Sequence, residues 1–296
     1  DAGQPAINPD TGFFTDTAVS AWGGVADGPQ VDVSGANSQI PAFDSRRIYT
    51  YTSQSTSREL SNASNRLSPT SPTITKGMFN AGAMTDADFR EHIEWVLGKD
   101  IEDYDDDEIT NENRYIIGDP LHSKPIAVTY GGSETEPDIT VFFGSNSGFL
   151  HAINAETGEE QFAFMPEETM DTQMLLRENR PQQKHIYGID GSVTPWVNDA
   201  NGDGSISGAG EFVRIFFGMR RGGRNYYALD VTDRDNPQLM WQVLGGQGDF
   251  AELGMSWSQP VLGNINVNGT DTDVLYFTGG YDPDQDDTDI RAEDSV

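Results

Sequence analysis

Five oxygen-bearing side chains recur at every second position in the run DANGDGSISGAGE: Asp199, Asn201, Asp203, Ser205 and Ser207. Hard oxygen donors at alternate positions of a flexible loop are the spacing of a calcium site, and Gly204 stands sixth, where such a loop turns sharply. The twelfth position, where a bidentate Glu belongs, is Gly210, and Glu211 follows one residue late. Glu211 can supply the missing ligand if the loop widens by one residue. The expected ion is Ca2+. Mixed carboxylate, amide and hydroxyl oxygens on a pliant turn suit it better than Mg2+, and no His or Cys is near to hold zinc. With two certain carboxylates, Asp199 and Asp203, the expected dissociation constant is roughly 10⁻⁴ M.

Two other stretches carry weaker metal signals. NINVNGTDTD, residues 264–273, offers Asn264, Asn266, Asn268 and Asp271, but it opens on an uncharged Asn and reads more simply as an Asn-Gly hairpin turn. Residues 99–112 hold eight acids against one Lys, with Asp103, Asp105 and Asp107 alternating. No glycine is present to make the turn. The segment therefore reads as a solvated acidic loop, with a second calcium site as the alternative.

Catalytic constellations are missing. The four histidines, His92, His122, His151 and His185, do not pair at metal spacing. Without Cys or a G-x-S-x-G run, no thiol chemistry or nucleophile elbow is available. Asp119 and Asp190 precede strand-like runs and read as turn-stabilising acids. GMRRGGR, residues 218–224, is a basic spot that a two-glycine hairpin explains. These residues give no grounds for an enzyme.

The calcium-type loop needs strands on both sides, and the flanking sequence supplies them. β-type runs are expected over 185–197, 211–218, 225–231 and 239–243, four strands joined by tight turns, as in one blade of a β-propeller. The order repeats. Pro-containing runs at 123–128, 193–197 and 258–263 each precede an apolar run ending in Gly, at 140–145, 214–219 and 274–280. Pro125, Pro195 and Pro260 are spaced by 70 and 65 residues, a period that fits a propeller with insertions. The chain thus reads as mainly β, with two full blades and half of a third in 113–296. The edge left after 274–280 predicts that further sequence, or a companion chain of one precursor, completes the ring. The opening on Asp1 without Met agrees with a processed or partial chain, and the acidic tail over 282–296 would then be an internal loop.

Ahead of the blades, residues 1–82 read as irregular. RRIYTYT, 46–52, alternates as one strand with Tyr49 and Tyr51 on one face. The Ser/Thr-rich run 53–73 reads as loop or linker. Residues 83–112 hold one amphipathic helix, Asp86–Leu97, started by Thr85 with Asp88 three residues on and ended by Gly98, followed by the acidic loop. Residues 165–184 interrupt the blades, with a turn or two of helix around 170–176.

Net charge is −30, from 18 basic and 48 acidic side chains. Such a surface repels nucleic acid and anionic lipid. No apolar run is long enough to span a membrane as a helix.

FREHIEWVLGKDIEDYDDDE, RYIIGDPLHSKPIAV, TVFFGSNSGFLHAINAETGEEQFAFMP and RRGGRNYYALDVTD, in that order, resemble the C-terminal domain of the PilY/PilC family of type IV pilus biogenesis proteins. The resemblance implies an exported, tip-associated adhesin at the cell surface and outer membrane. Its C-terminal propeller would carry a calcium loop, and Asp199, Asn201, Asp203 and Ser205 fall on that motif. The implied partners are minor pilins, a host or surface receptor and the rest of the precursor. AINAETGEEQF also looks like the docking motif of quinoprotein propellers, with Phe162 where Trp is usual. That motif marks fold rather than chemistry. It leaves a quinone-dependent dehydrogenase as the alternative function, beside a metal-independent acidic scaffold.

Overall fold

A computed structural model describes residues 5–23, 26–28, 30, 35–114 and 116–282; most of the acidic tail lies outside them. A one-turn helix α1 (Gly35–Ser38) is followed by β1 (Ile48–Tyr51) and the helix α2 (Asp86–Leu97). Four strands come next: β2 (Ile126–Gly132), β3 (Pro137–Gly144), β4 (Leu150–Asn154) and β5 (Glu160–Pro166). A short helix α3 (Gln173–Glu178) separates them from β6 (Thr194–Asn198), β7 (Phe212–Gly218), β8 (Tyr226–Asp230) and β9 (Gln238–Val243). The hairpin β10 (Val261–Val267) and β11 (Thr270–Tyr276) ends the fold.

β2 to β5 and β6 to β9 each form an antiparallel meander in sequence order. These are the two four-stranded units that the repeat predicts. No sheet among the described residues closes on itself. The first β run of the second repeat is shorter than expected. Residues 185–193 are not strand; around Gly188 and Gly191 the backbone instead presses against Gly148 and Gly218, too close for a side chain.

Alternation on the strands explains the layers. Val213, Ile215 and Phe217 on β7 face Phe162 and Phe164 on β5, and all five are fully buried in one core between the sheets. The Phe164 ring meets Phe217 and Tyr227 edge-on at 6.2 and 5.7 Å. The opposite face of the first sheet, with Ile48, Ala163 and Met165, is covered by Phe79, Ile93, Val96 and Leu97. α2 begins where expected: Thr85 accepts the Asp88 N–H at 3.2 Å, and Gly98 ends the helix in the left-handed region.

The N-terminal region is tied to both sheets. β1 adds to the outer edge of β5 in parallel. The run 53–73, expected as loop or linker, is irregular, and it also acts as a clamp. Leu60 and Leu67 are buried, and backbone bonds between Leu60 and Pro237 and between Leu239 and Arg58, each 2.8 Å, seal the edge of β9. An open strand edge invites foreign pairing, so covering both outer edges protects the molecule. The Ser/Thr content hid this, because two leucines in twenty-one residues carry the packing.

Candidate metal centre

The loop 199–211 connects β6 to β7. Its alternate oxygens fold back onto the chain in a regular series. Asp199 Oδ1 and Oδ2 accept the N–H groups of Gly202 and Gly204 at 2.7 and 2.8 Å. Asn201 Oδ1 accepts from Asp203, and Asp203 Oδ1 from Ser205, both at 2.8 Å. Ser205 Oγ donates to Ser207 Oγ at 3.4 Å. Gly202, Gly204 and Gly210 sit at φ of 73°, 78° and 84°, a region where only glycine rests without strain, so the coil of the loop is written in those positions.

Glu211 does more than follow the loop. Its carboxylate is buried and turned back across the coil. Oε2 accepts N–H groups from Ser207 at 3.0 Å and Gly208 at 2.5 Å, and Oε1 accepts from Asn201 at 3.4 Å. One side chain thus joins both halves of the loop. On the far side, Ile206 donates its N–H to Tyr130 O on β2 at 2.8 Å and packs on the inter-sheet core. The loop therefore spans both sheets. Its donor set is all oxygen, as calcium requires, and each carboxylate retains lone pairs beyond the ones its backbone bonds use.

The other two stretches behave differently. Residues 264–273 form the β10–β11 hairpin, with Asn268 and Gly269 at positive φ, the geometry of a two-residue turn. Asn264 and Asn266 are taken up by Asp273 and Asp271 across the hairpin, at 3.1 and 2.9 Å. The acidic loop after α2 is closed at its neck by backbone bonds of 2.8 Å from Asp100 to Glu112 and from Arg114 to Gly98. Inside it, two groups of carboxylates converge within 4.8 Å: Asp103 with Asp105 and Asp107, and Asp100 with Asp105 and Glu112. Burial, then the neighbouring acids, hold Glu112 above its ordinary value, and burial does the same for Asp100.

The histidines have packing roles and hydrogen-bonding roles that spacing does not reveal. His151 on β4 is fully buried, with Nδ1 2.7 Å from Glu160 and Nε2 2.9 Å from Ser145 Oγ. Arg46 clamps Glu160 through Nε at 2.5 Å and Nη2 at 3.0 Å. Burial alone would raise the Glu160 carboxyl, but Arg46 outweighs it and holds it at about 2. Ser145 is fully buried too, so this acid–imidazole–hydroxyl row meets no solvent. It joins β1, β4 and β5 as a satisfied polar network. His122 and Arg220 both pair with the buried Asp190, at 2.7 and 3.1 Å, so its carboxylate ties together segments 68 and 30 residues away rather than its own turn.

No protein-family profile matches the chain. Sequence comparison finds type IV pilus biogenesis factor PilY1 of Pseudomonas aeruginosa strain UCBPP-PA14, 30% identical over 177 residues, or 52% of this chain and 14% of that protein. The PilY1 homolog of Xylella fastidiosa is 34% identical over 122 residues, 41% of this chain and 9% of its own length. Among solved structures, the crystal structure of the P. aeruginosa PilY1 C-terminal domain matches 47% of this chain and 24% of that chain, with 30% identity and a TM-score of 0.30. The chain therefore spans a small part of the curated relatives it matches. The resemblance to the PilY/PilC family holds on the sequence matches.

Proposed function

We propose that this chain, a homologue of the PilY1 factors over half its length, is the propeller segment of a type IV pilus biogenesis factor that uses calcium. The observation that carries the propeller reading is the stacking of two meanders, each of four strands in sequence order, with the β10–β11 hairpin as the start of a third unit. Val261, Ile265 and Tyr276 on that hairpin are exposed, as the face and edge of an unfinished blade would be. Further strands of the same precursor would cover them. Among the described residues no helix is long and apolar enough to cross a membrane. In this reading the segment is exported and displayed on the cell surface at the pilus tip. Minor pilins are the assembly partners in this reading, and a host or surface receptor is the adhesive one.

Calcium at 199–211 would act on the fold. Bringing Asp199 and Asp203 around one ion replaces their mutual repulsion with attraction and fixes the β6–β7 connection against β2. At a hundredfold excess over its dissociation constant the ion would stabilise the segment by about 2.7 kcal/mol. Calorimetry and melting of the wild type and Asp203→Ala in millimolar calcium test this, beside counts of surface pili in cells carrying the same substitution. The expected outcome is heat and a melting shift in the wild type only, with fewer pili in the variant. A wild type without heat or shift removes the metal from the reading, and full piliation of a strain lacking this segment removes the biogenesis role.

A further inference from the structure

Three connections at one end of the strands are laced into a single frame. They are residues 187–190 ahead of β6, the turn 219–223 after β7, and 253–257 ahead of β10. The tie between the last two is Ser256, which is 1% exposed. Its N–H and its hydroxyl both donate to Gly223 O at 3.0 Å, its Oγ accepts the Met219 N–H at 2.7 Å, and its O accepts the Arg220 N–H at 3.2 Å. Asp190 donates its N–H to Met219 O at 3.3 Å. A Cβ on Gly222 would fall 1.7 Å from Gly188 O, so only glycine lets the turn sit this close. Arg220 is held at φ 53°, a left-handed conformation that an arginine adopts only under constraint.

The frame presents cations and rings to solvent. The guanidinium groups of Arg220 and Arg221 lie 4.6 and 5.3 Å from the centre of the Trp257 ring, and Arg221 lies 5.2 Å from that of Tyr187. Trp257 is 36% exposed and meets Tyr281 edge-on at 6.5 Å. Arg220 Nη1 donates to the buried Asp190 carboxylate at 3.1 Å, and His122 holds the other oxygen. Arg221 Nη1 donates to the Tyr187 hydroxyl at 2.8 Å. Nε and Nη2 of both arginines have no partner, and none of these atoms is buried, so they open to solvent. Among the described residues no carboxylate comes within the 4.0 Å of an ion pair to Arg221. A guanidinium held between two rings has already given up much of the freedom that binding would cost it.

The open donors set the ligand. A guanidinium fork fits a carboxylate or a phosphate, and a chain of net charge −30 opposes a dianion more strongly than a monoanion. Within the frame the Asp190 acceptors are already taken. A polyhydroxylated acid would bring hydroxyl donors with no acceptor to meet them. A carboxylate flanked by apolar atoms leaves nothing unpaired, and that is an Asp or Glu side chain on a polypeptide. Arg, Trp and Tyr are also the residues that anchor protein interfaces. They stand here on connections beyond the strand ends, so strands paired to β11 would extend a sheet rather than lie across them.

We propose that Arg220, Arg221 and Trp257, backed by Tyr187, anchor a docking surface for a protein partner that presents an acidic side chain beside an apolar one. The carboxylate bonds side-on to Arg221 Nε and Nη2, and the apolar neighbour packs on the Trp257 ring. The inference goes beyond the pilus reading and stands apart from it, because it is read from peptide binding and that reading from piliation.

The test titrates the whole chain, at about 0.15 M salt to screen the net charge. The probes are capped pentapeptides with a central Glu between Ala, Leu or Phe residues, the same peptides with Gln, trigalacturonate, and inorganic phosphate. Binding is read by calorimetry and by the Trp257 indole N–H resonance, assigned with Trp257→Phe. A Glu peptide with Leu or Phe neighbours binds and moves that resonance. Its Gln counterpart binds at least about tenfold more weakly, a difference of about 1.4 kcal/mol. Arg221→Gln weakens the Glu peptide by a similar factor, and Arg221→Lys, which keeps the charge but loses the fork, weakens it less. Arg221 is half-buried and bonds only to Tyr187, so melting should show both variants folded. Arg90→Gln, an exposed cation on α2, removes the same charge and leaves binding unchanged. No binding by any Glu peptide up to about 10 mM, or an unmoved Trp257 resonance, overturns the proposal. So does equal binding of Glu and Gln peptides, or an equal loss in Arg221→Gln and Arg90→Gln. Tighter binding of trigalacturonate than of any peptide makes this a saccharide surface and overturns the protein partner. Phosphate binding as tightly as the best Glu peptide overturns it as well, leaving a general anion site.

Discussion

The two acidic loops of this molecule solve opposite halves of one problem. The loop 199–211 has the spacing of a cation site, but its carboxylates are turned onto its own backbone, and Asp199, Asp203 and Glu211 do not form one of the described clusters within 4.8 Å. The loop 100–112 carries that spacing only at Asp103, Asp105 and Asp107 and has no glycine, yet its closed neck drives Asp100, Asp105 and Glu112 together. Spacing sets which side chains share a coil. The way a loop is hung from the fold sets which ones meet. The first loop hangs between two paired strands, and the second hangs from the C-terminal end of α2.

The largest expected effect separates the two supports by pH. His92 on α2 is fully buried between Phe79 and Trp95, and neither ring nitrogen has a partner. Burial, with Arg177 and Arg114 adding to it, lowers its pKa to about 4. The unfolded chain takes up a proton near pH 6.5, before the folded one does. Stability from this group is therefore complete above about pH 6.5 and lost as pH falls towards 4, by roughly 3 kcal/mol in all. Amide exchange at pH 5 should show α2 and the neck of the 100–112 loop opening while β6 and β7 stay protected. His92→Leu should remove most of that pH dependence. If the strands lose protection together with the helix, the two loops do not rest on separate supports.

The next effect is on the other loop. Glu211→Ala strips the acceptor from three backbone N–H groups and should cost about 2 kcal/mol without any metal. Glu211→Gln keeps an acceptor and should cost less. Denaturant unfolding measures both, and equal losses would mean that the carboxylate does not organise the coil.

What the sequence makes legible follows from range. Local signals came through: Thr85 and Gly98 bracket α2, the apolar run at 214–219 falls mostly on strand β7, and Asn268–Gly269 makes the hairpin turn. The spacing of 199–207 predicts a calcium-type loop, and in the structure Asp199, Asn201 and Asp203 turn back onto their own coiled backbone. Glu211 was legible as a displaced ligand, but not as the brace it is, because its bonds run backward along the loop. Long-range pairs left no trace. Arg46 and Glu160 are 114 positions apart, and nothing in RRIYTYT marks Arg46 as a buried cation. The frame around Trp257 draws on residues 187–190, 219–223 and 253–257, segments that make unrelated sense when read singly. Leu60 and Leu67 vanished into a Ser/Thr-rich run for the same reason.

The smallest effect tests the crowded loop itself. Asp100 and Glu112 both sit above their ordinary values, with burial as the first cause and the surrounding acids adding to it. A carboxyl whose folded pKa is raised contributes stability that is fully present below its unfolded value, and that stability is lost as pH rises through the folded one. The crowd should therefore favour the fold slightly in mild acid, opposite in sign to His92 and to Glu160. Asp105 belongs to both clusters and is exposed, so Asp105→Asn removes one charge from each at little packing cost. At neutral pH without calcium the variant should be as stable as the wild type or more so, by no more than about 0.5 kcal/mol. Millimolar calcium should narrow that gap if the converged oxygens take an ion, and leave it alone if the loop is only solvated. Melting curves of both proteins with and without calcium read the answer. A variant clearly less stable than the wild type in calcium-free buffer would show that Asp105 is held there by attraction, and the contrast between the two loops would fall.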